Sequence, residues 1–212
     1  MKTLLIATHN PGKAREYRDL LSELPLKVVY LDELGITDEV AETGMTLAEN
    51  AAIKAAHFAQ VTGVWTWADD SGLEVDALDG APGVHSARFA GSDATDADRY
   101  RRLLGLLAGI PWARRTARFR CVVTLAAPAG TIGSAEGKIE GIVTFGPAGE
   151  YGFGYDPVFY IPEFARTMAQ LPPDLKNSVS HRALASHRAV GVLEAHLASS
   201  PERPKPQLAG TA

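Results

Sequence analysis

Two adjacent aspartates, Asp69 and Asp70, directly follow the apolar segment VWTWA and precede Ser71 and a glycine. Carboxylates in such a position can hold Mg²⁺ or take a proton from a water molecule. The ends of strands are also where α/β sheets usually place their ligands. A solvated Asp-Asp turn is the alternative, but such a turn rarely follows so apolar a segment. The doublet is therefore the first candidate for catalysis.

The second candidate is the hexapeptide THNPGK at residues 8–13, which follows the apolar start of the chain. A turn from a strand into a helix exposes backbone N–H groups at the positive end of the helix, and Lys13 adds a cation. The P-loop pattern of Gly, four residues and Gly-Lys-Ser/Thr is not met, because Ala14 follows the lysine. The hexapeptide is either a different phosphate loop or an ordinary capped turn, and its residues alone leave both open.

Three further regions hold residues that could bind a ligand. Glu42 lies in a loop and Lys54 in a helical segment, where a solvated position is the usual alternative for each. In EYGFGYDPVF at 150–159, the glycines permit close backbone approach, and the aromatic rings could stack on a flat base or simply fill a core. The tetrapeptide SHRA occurs at 180–183 and again at 186–189, where His and Arg could donate hydrogen bonds. No histidine pair has the spacing of a zinc motif.

The composition is that of a globular protein. The 212 residues are 46% hydrophobic and 22% charged, with a formal net charge of -4. This balance argues against a nucleic-acid coat or a membrane-surface binder, which would carry a broad basic face. Cys121 lies in an apolar strand-like segment, so we expect a buried thiol. The apolar start is too short for a signal peptide and no stretch reaches membrane-spanning length, so we expect a cytoplasmic protein.

Alternating strands and helices predict an α/β fold. Apolar runs predict strands at 3–8, 26–31, 63–68, 116–126, 132–145 and 158–161. Capping residues and helical periodicity predict helices at 13–22, 47–61, 96–109 and 180–198. The turn PAGT between the fourth and fifth strands indicates a hairpin, so we expect a mixed sheet. The Pro-rich segment at 199–212 predicts a disordered tail.

Taken together, these segments resemble the inosine/xanthosine triphosphate pyrophosphatase family. One such motif would be weak evidence, whereas six in the order and spacing of the family are strong. The similarity covers about residues 3–198, and its motifs are THNPGK at 8–13, ETG at 42–44, ENAAIKA at 49–55, ADDSGLEVDALDGAPGVHSARFAG at 68–91, GFGYDPVF at 152–159, and Lys176 with SHRA at 180–183.

The resemblance implies an elongated mixed sheet flanked by helices, with two lobes and a nucleotide cleft between them, within a single domain at residues 1–198. It also implies a homodimer, and a reaction in which a nucleoside triphosphate and water give the monophosphate and pyrophosphate. The preferred bases would be hypoxanthine and xanthine, so the substrates would be ITP, dITP and XTP. Such house-cleaning enzymes remove altered purine nucleotides from the nucleotide pool.

The resemblance also implies roles for the residues at matching positions. Glu42 and Asp70 would hold Mg²⁺, Asp70 would also be the proton acceptor, and Ser71 would lie beside the substrate. The first SHRA copy is chosen over the second because it has the family's spacing from Lys176 and opens a helix. The triphosphate would contact Thr8, His9, Asn10, Pro11, Gly12, Lys13 and Lys54. The base and sugar would contact Phe153, Gly154, Tyr155, Asp156, Lys176, His181 and Arg182.

Elementary electrostatics agrees with this assignment. A triphosphate brings about four negative charges, which Mg²⁺ and a few lysines can neutralise inside an acidic protein. The lysines available are Lys13, Lys54 and Lys176. Donors on His181 and Arg182 would pair with a purine 6-oxo group, whereas the 6-amino group of adenine would leave them unpaired.

Two other functions are compatible with the same residues. A nucleotide-binding module without turnover would need the lysines and the aromatic residues but no paired acids. A phosphatase would instead release the terminal phosphate as orthophosphate. The product released from a nucleotide therefore separates these functions from a pyrophosphatase.

Overall fold

The computed structural model describes residues 2–199, which form an α/β fold. The strands are β1 Thr3–Ile6, β2 Lys27–Tyr30, β3 Trp65–Val75, β4 Thr116–Ala127, β5 Gly130–Val143, β6 Phe159–Ile161 and β7 Arg166–Thr167. The α-helices are α1 Pro11–Leu20, α2 Leu47–Thr62, α3 Asp96–Leu106, α4 Pro173–Val179 and α5 His181–Ser199. The predicted tail lies outside the described residues except for Ser199. Within residues 2–199, no helix is long and apolar enough to cross a membrane.

One mixed sheet of seven strands has the order β2-β1-β3-β4-β5-β6-β7. Strand β1 runs parallel to both of its neighbours, β2 and β3. From β3 onward every neighbouring pair is antiparallel, and β4 and β5 form a hairpin around Pro128 and Ala129. The predictions of an α/β fold, a mixed sheet and this hairpin are confirmed, whereas the division into two lobes stays a prediction.

Local capping signals explain where the helices begin. The side chains of Asn10, Thr46 and Thr95 cap α1, α2 and α3 in turn. Their oxygens accept hydrogen bonds from first-turn N–H groups that have no partner inside the helix. The helix predicted at 13–22 begins earlier, because Pro11 suits the first helical position, where no N–H group is needed.

The third strand differs from its prediction, and the difference bears on the site. The sequence predicts a strand at 63–68 that ends at the aspartate doublet, but β3 continues through both aspartates to Val75. Aspartate is unfavourable in strands by propensity, and its tertiary contacts override that preference here. The expectation that the doublet lies at a strand end is therefore wrong. The strand that ends beside the doublet is the parallel neighbour β1, whose last residue, Ile6, pairs with Trp67. Asp69 and Asp70 themselves pair with β4.

Helices cover both faces of the sheet around the doublet. On one face, α1 and α5 pack against Trp67 and Cys121, whose thiol is buried as predicted. On the other face, α2 packs against Ala68. Because side chains alternate along a strand, Asp69 points towards α1 and α5, and Asp70 points towards α2.

Candidate active site

A cavity of about 540 Å³ lies between the residues that follow β1 and the middle of β3. The hexapeptide and the aspartate doublet therefore share one cavity, although Asp69 itself is not in its wall. Of the residues proposed for the site, Pro11 and Gly12 do not line the cavity. The others do: Thr8, His9, Asn10, Lys13, Glu42, Lys54, Asp70, Ser71, Phe153, Gly154, Tyr155, Asp156, Lys176, His181 and Arg182.

Asp69 lies behind the cavity and pairs with two cations. The residue is 2% exposed, and its Oδ2 lies 2.9 Å from Lys13 Nζ and 3.5 Å from Arg182 Nη2. Burial alone would raise its pKa, but the charges of Lys13, Arg182 and Lys54 outweigh burial and hold the pKa well below the usual range. Asp69 is therefore a constant anion that fixes the position of cations.

Asp70 faces the cavity, and its pKa is shifted in the direction opposite to that of Asp69. Its Oδ2 accepts a hydrogen bond from Asn50 Nδ2 at 3.1 Å, and its Oδ1 accepts one from the backbone N–H of Ser71 at 2.9 Å. Lys54 Nζ lies 3.8 Å from Oδ1. Burial raises the pKa of Asp70, although the charges of Lys54 and Lys13 oppose it. A carboxylate with a raised pKa at a cavity wall is suited to accept a proton.

Lys54 and Glu42 meet beside Asp70. Lys54 Nζ lies 2.6 Å from Glu42 Oε1, and the lysine side chain is 13% exposed, so it is not on a solvated helix face. Within residues 2–199, no group of three or more His, Cys, Asp or Glu side chains is arranged to hold a metal. Mg²⁺ commonly needs only one or two carboxylates together with water and substrate phosphates. The oxygen donors of Glu42 and Asp70, both within 4 Å of the same lysine nitrogen, fit that kind of site.

The hexapeptide forms a capped turn whose backbone donors are engaged. Asn10 Oδ1 accepts hydrogen bonds from Gly12 N–H at 2.9 Å and Lys13 N–H at 3.0 Å. Thr8 Oγ1 accepts one from Asn10 N–H at 3.2 Å, and Pro11 has no N–H group. The expectation of exposed N–H groups is therefore wrong at these positions. The groups at this turn that could attract an anion are the lysine side chain and the positive helix end.

The glycine-aromatic segment packs on the start of α1. The ring of Phe153 approaches Gly12 so closely that a Cβ there would lie 2.6 Å from it. The N–H group of Phe153 donates to Asp156 Oδ2 at 2.9 Å, and that of Gly154 donates to Asp96 Oδ2 at 2.7 Å. Because position 12 is glycine, the ring of Phe153 can pack against the backbone of α1 at the cavity wall.

The two aromatic residues proposed for stacking differ in burial. Tyr155 is 4% exposed, and its hydroxyl donates to the carbonyl oxygen of Ser86 at 2.9 Å. Phe153 is less buried, with Lys176 Nζ at 5.0 Å and Arg182 Cζ at 5.5 Å from its ring centroid. Of the two rings, that of Phe153 is therefore the more accessible from the cavity.

Lys176 and Arg182 are buried and share a carboxylate, that of Glu16. Lys176 Nζ lies 2.7 Å from Glu16 Oε1 and 2.5 Å from Asp156 Oδ2. Arg182 Nη1 donates to Glu16 Oε2 at 2.6 Å, and Nη2 donates to Ser71 Oγ at 3.0 Å. Burial would raise the pKa of Glu16, but Arg182 and Lys176 outweigh burial and lower it. Glu16 therefore fixes the two cations relative to each other.

His181, at the start of α5, stacks on Phe119 with ring centroids 4.6 Å apart and an angle of 12° between the rings. Burial lowers its pKa well below the usual value, and the charges of Arg182 and Lys176 lower it further. The imidazole is therefore neutral near pH 7. In the second SHRA copy, His187 is exposed and is not in the cavity wall.

Several residues that hold the site together were missed by sequence reasoning. Asn50 and Glu16 carried a signal: Asn50 lies in the segment ENAAIKA, one turn before Lys54, and Glu16 lies one turn after Lys13 on α1. Asp96 and Phe119 carried none, because their partners in the site are distant in sequence.

Comparison with known proteins identifies the family of this chain. The profile of the Ham1 family matches residues 4–191. A dITP/XTP pyrophosphatase from Desulforamulus reducens is 50% identical over 190 residues, which cover 90% of this chain and 94% of that protein. A dITP/XTP pyrophosphatase from Bacillus subtilis is 45% identical over 195 residues, 92% of this chain and 98% of that one.

Solved structures share the fold. A HAM1 protein from Coxiella burnetii superposes with a TM-score of 0.83 at 40% identity and covers 92% of this chain and 100% of its own. A nucleoside-triphosphatase, or dITP/XTP pyrophosphatase, from Mycobacterium abscessus gives a TM-score of 0.70 at 41% identity. The match covers 90% of this chain and 98% of that one. With a family match over most of its length and relatives this similar, the chain belongs to the Ham1 family.

Proposed function

We propose that this protein hydrolyses the purine nucleoside triphosphates ITP, dITP and XTP to the monophosphate and pyrophosphate, and so removes them from the nucleotide pool. The observation that carries the proposal is the shared cavity, whose wall holds Asp70, Lys54 and Glu42 together with residues of the hexapeptide and Phe153. The relatives named dITP/XTP pyrophosphatase support the class of substrate.

The triphosphate would bind by exchange of partners. Lys13 is paired with Asp69 at 2.9 Å, and Lys54 is paired with Glu42 at 2.6 Å. Both lysine side chains are mostly buried yet reach the cavity wall. Phosphate oxygens would take places around these ammonium groups, which are held in position before the substrate arrives.

Asp70 would accept a proton from the water that attacks the α-phosphorus. As the new P–O bond forms, the bond from the α-phosphorus to the bridging oxygen breaks and pyrophosphate leaves. The raised pKa of Asp70 makes its carboxylate a better base than an exposed aspartate. The ammonium groups of Lys13 and Lys54 would stabilise charge on the leaving pyrophosphate.

Glu42 and Asp70 are the residues that would hold Mg²⁺, together with phosphate oxygens of the substrate. Bound there, Mg²⁺ would neutralise phosphate charge and help pyrophosphate to leave. The hard carboxylate donors at this position support the assignment of Mg²⁺ over a softer metal.

The base would lie against Phe153, with donors directed at the purine 6-oxo group. Arg182 Nη1 donates to Glu16, and Nη2 donates to Ser71 and to Asp69 at 3.5 Å. A bond to the base would therefore use the second N–H group of Nη1, replace the bond to Ser71, or be made by His181. Adenine would leave such a donor unpaired, and sites of this kind can discriminate by roughly 10⁴-fold at the upper end.

We also propose a cytoplasmic homodimer that binds small nucleotides and neither nucleic acid nor membranes. The net charge of -4 supports a small ligand, because a nucleic-acid or membrane surface would require a broad basic face. Sedimentation of the purified protein measures the oligomeric state directly.

A panel of nucleotides with resolved products tests the function. ITP, dITP, XTP, ATP and GTP are incubated with the protein in Mg²⁺ or in a chelator, and pyrophosphate and orthophosphate are measured separately. We expect pyrophosphate from the first three, only with Mg²⁺, and far slower release from ATP and GTP. Orthophosphate as the first product would indicate a phosphatase, and calorimetric binding without product would indicate a binding module.

A further inference from the structure

Asn50 lies inside α2 with no exposed surface, opposite the middle of β3. Asparagine is a poor residue for a helix interior because its side chain competes for backbone hydrogen bonds, and an unpaired buried amide costs free energy. An apolar side chain would pack there without that cost. The contacts of the amide therefore need an explanation beyond packing.

Both ends of the Asn50 amide are paired, and the partners determine its orientation. Oδ1 accepts a hydrogen bond from the backbone N–H of Gly44 at 2.8 Å, and Nδ2 donates to Asp70 Oδ2 at 3.1 Å. A backbone N–H can only donate, so the amide oxygen must face Gly44 and the NH₂ group must face the carboxylate. The other oxygen of Asp70 accepts from Ser71 N–H at 2.9 Å, so the carboxylate is held at both oxygens.

The same amide fixes the loop that carries Glu42. A Cβ on Gly44 would lie 2.7 Å from Asn50 Oδ1 and 2.6 Å from Glu49 Cβ, so this approach requires glycine. The next N–H group, that of Met45, donates to Glu49 Oε2 at 2.6 Å. The loop just after Glu42 is therefore attached to the first turn of α2, the turn that also holds the Asp70 carboxylate.

We propose that Asn50 is a positioning residue of the hydrolytic site, whose amide sets the rotation of the Asp70 carboxylate and, through Gly44, the place of the Glu42 loop beside it. The inference rests on the proposed function and adds to it a residue that controls the geometry between the two acids. Misplacing a reacting group by about 1 Å can lower turnover roughly 100-fold.

Two substitutions separate the two contacts of the amide. Asn50→Asp has the same shape and keeps an oxygen acceptor for Gly44, but it replaces the NH₂ donor to Asp70 with a carboxyl oxygen, which either repels the Asp70 carboxylate or shares a proton with it. Asn50→Leu removes both contacts and fills much of the space. Asn177→Asp is the matched control, because the Asn177 amide also donates to an aspartate, Asp19, at 3.2 Å but lies on the surface.

Three measurements are made on each variant: kcat and KM for pyrophosphate release from ITP, the Kd of IMP by calorimetry without Mg²⁺, and the Tm. We expect kcat to fall about 100-fold in Asn50→Asp and at least as far in Asn50→Leu. The Kd of IMP should stay within about threefold of wild type, because the base pocket and Lys13 are untouched. Asn177→Asp should match wild type in kcat and Kd.

Wild-type kcat in folded Asn50→Asp and Asn50→Leu would overturn the proposal. So would a loss of IMP binding in parallel with kcat, because a residue that only supports the fold would weaken both together. If either variant fails to fold, Asn50→Ser replaces it under the same criteria. A wild-type protein that releases no pyrophosphate refutes the proposed function and this role with it, whereas active wild type with unaffected variants refutes the role of Asn50 alone.

Discussion

Asp69 and Asp70 are neighbours in the chain, yet their carboxylates lie on opposite faces of the sheet. Asp69 Oδ2 lies 2.9 Å from Lys13 Nζ, on the face covered by α1 and α5. Asp70 Oδ2 accepts from Asn50 Nδ2 at 3.1 Å, on the face covered by α2. The two acids therefore cannot act as one carboxylate pair, and only Asp70 reaches the cavity.

Replacing the cavity-facing acid should abolish turnover and keep binding. In Asp70→Asn, the proton acceptor is lost while Lys13 and Lys54 keep their places, so we expect kcat to fall by about 10³-fold or more. Binding of IMP should stay near that of wild type. Pyrophosphate release and calorimetry measure both, with the exposed Asp93→Asn as control. Full turnover in Asp70→Asn would remove Asp70 from the mechanism.

Replacing the buried acid should instead destabilise the protein. Asp69→Asn leaves Lys13 without its close anion, and breaking a buried pair typically lowers the free energy of unfolding by about 3–5 kcal/mol. Because the pKa of Asp69 is lowered in the folded state, its contribution is complete above the unfolded pKa of about 3.9 and is lost as the pH falls towards the folded value. Urea unfolding measures the free energy of unfolding of both proteins at pH 7 and pH 3. The difference between wild type and Asp69→Asn should be smaller at pH 3.

The local signals in the sequence were enough for most elements of the fold. Caps such as Asn10 and Thr46 and the apolar stripe of α2 determine the helices, and these depend only on neighbours in the chain. The length of β3 was not predictable in this way, because Asp69 and Asp70 are poor strand residues. Their strand conformation depends on pairing with β4 and on cations from three helices, which no local pattern reveals.

In the candidate site, too, some features follow from local sequence and others depend on contacts between distant segments. Of the residues that the motifs predicted for the site, all but Pro11 and Gly12 line the cavity, but the motifs did not indicate which partners these residues have there. That Tyr155 is buried under Ser86, and that Lys176 shares Glu16 with Arg182, depends on contacts between segments far apart in sequence. Such contacts become visible only when the sheet order is known.

Glu16→Gln should weaken nucleotide binding more than turnover. The carboxylate lies 2.7 Å from Lys176 Nζ and 2.6 Å from Arg182 Nη1, and charged hydrogen bonds of this kind are worth about 1.5–3 kcal/mol each. We expect KM for ITP to rise about tenfold or more, with a smaller change in kcat, because Asp70 is not in contact with Glu16. Glu23→Gln, an exposed position in the loop after α1, is the control. An equal fall in kcat with unchanged KM would contradict this role.

Gly72→Ala should destabilise the strand beside the site. A Cβ at this position would lie 2.3 Å from the carbonyl oxygen of Gly83, which is backbone and has little freedom to move. We expect the free energy of unfolding to fall by about 1–3 kcal/mol, as in other overpacked sites. Gly105→Ala in α3 is a control of opposite sign, because nothing lies within 4 Å of a Cβ there and alanine favours a helix. Equal stability of the two variants, by urea unfolding, would contradict the expectation.

The buried His181 should make the stability of the protein depend on pH below neutrality. Its pKa is lowered by burial, Arg182 and Lys176, against the opposing charge of Asp69, so the folded protein keeps the ring neutral. Below the unfolded pKa of about 6.5, the unfolded chain binds a proton that the folded chain does not, and stability falls by up to about 1.4 kcal/mol per pH unit until the folded pKa is reached.

His181→Gln removes this proton and should flatten the fall in stability between pH 6.5 and pH 5, which urea unfolding at several pH values measures. His187→Gln, at the exposed position in the second SHRA copy, should keep the slope of wild type. If His181→Gln kept the same slope as His187→Gln, the neutral state of the buried ring would be refuted. In that case the imidazolium would be tolerated beside Arg182 and Lys176, and His181 could approach the purine 6-oxo group as a charged donor.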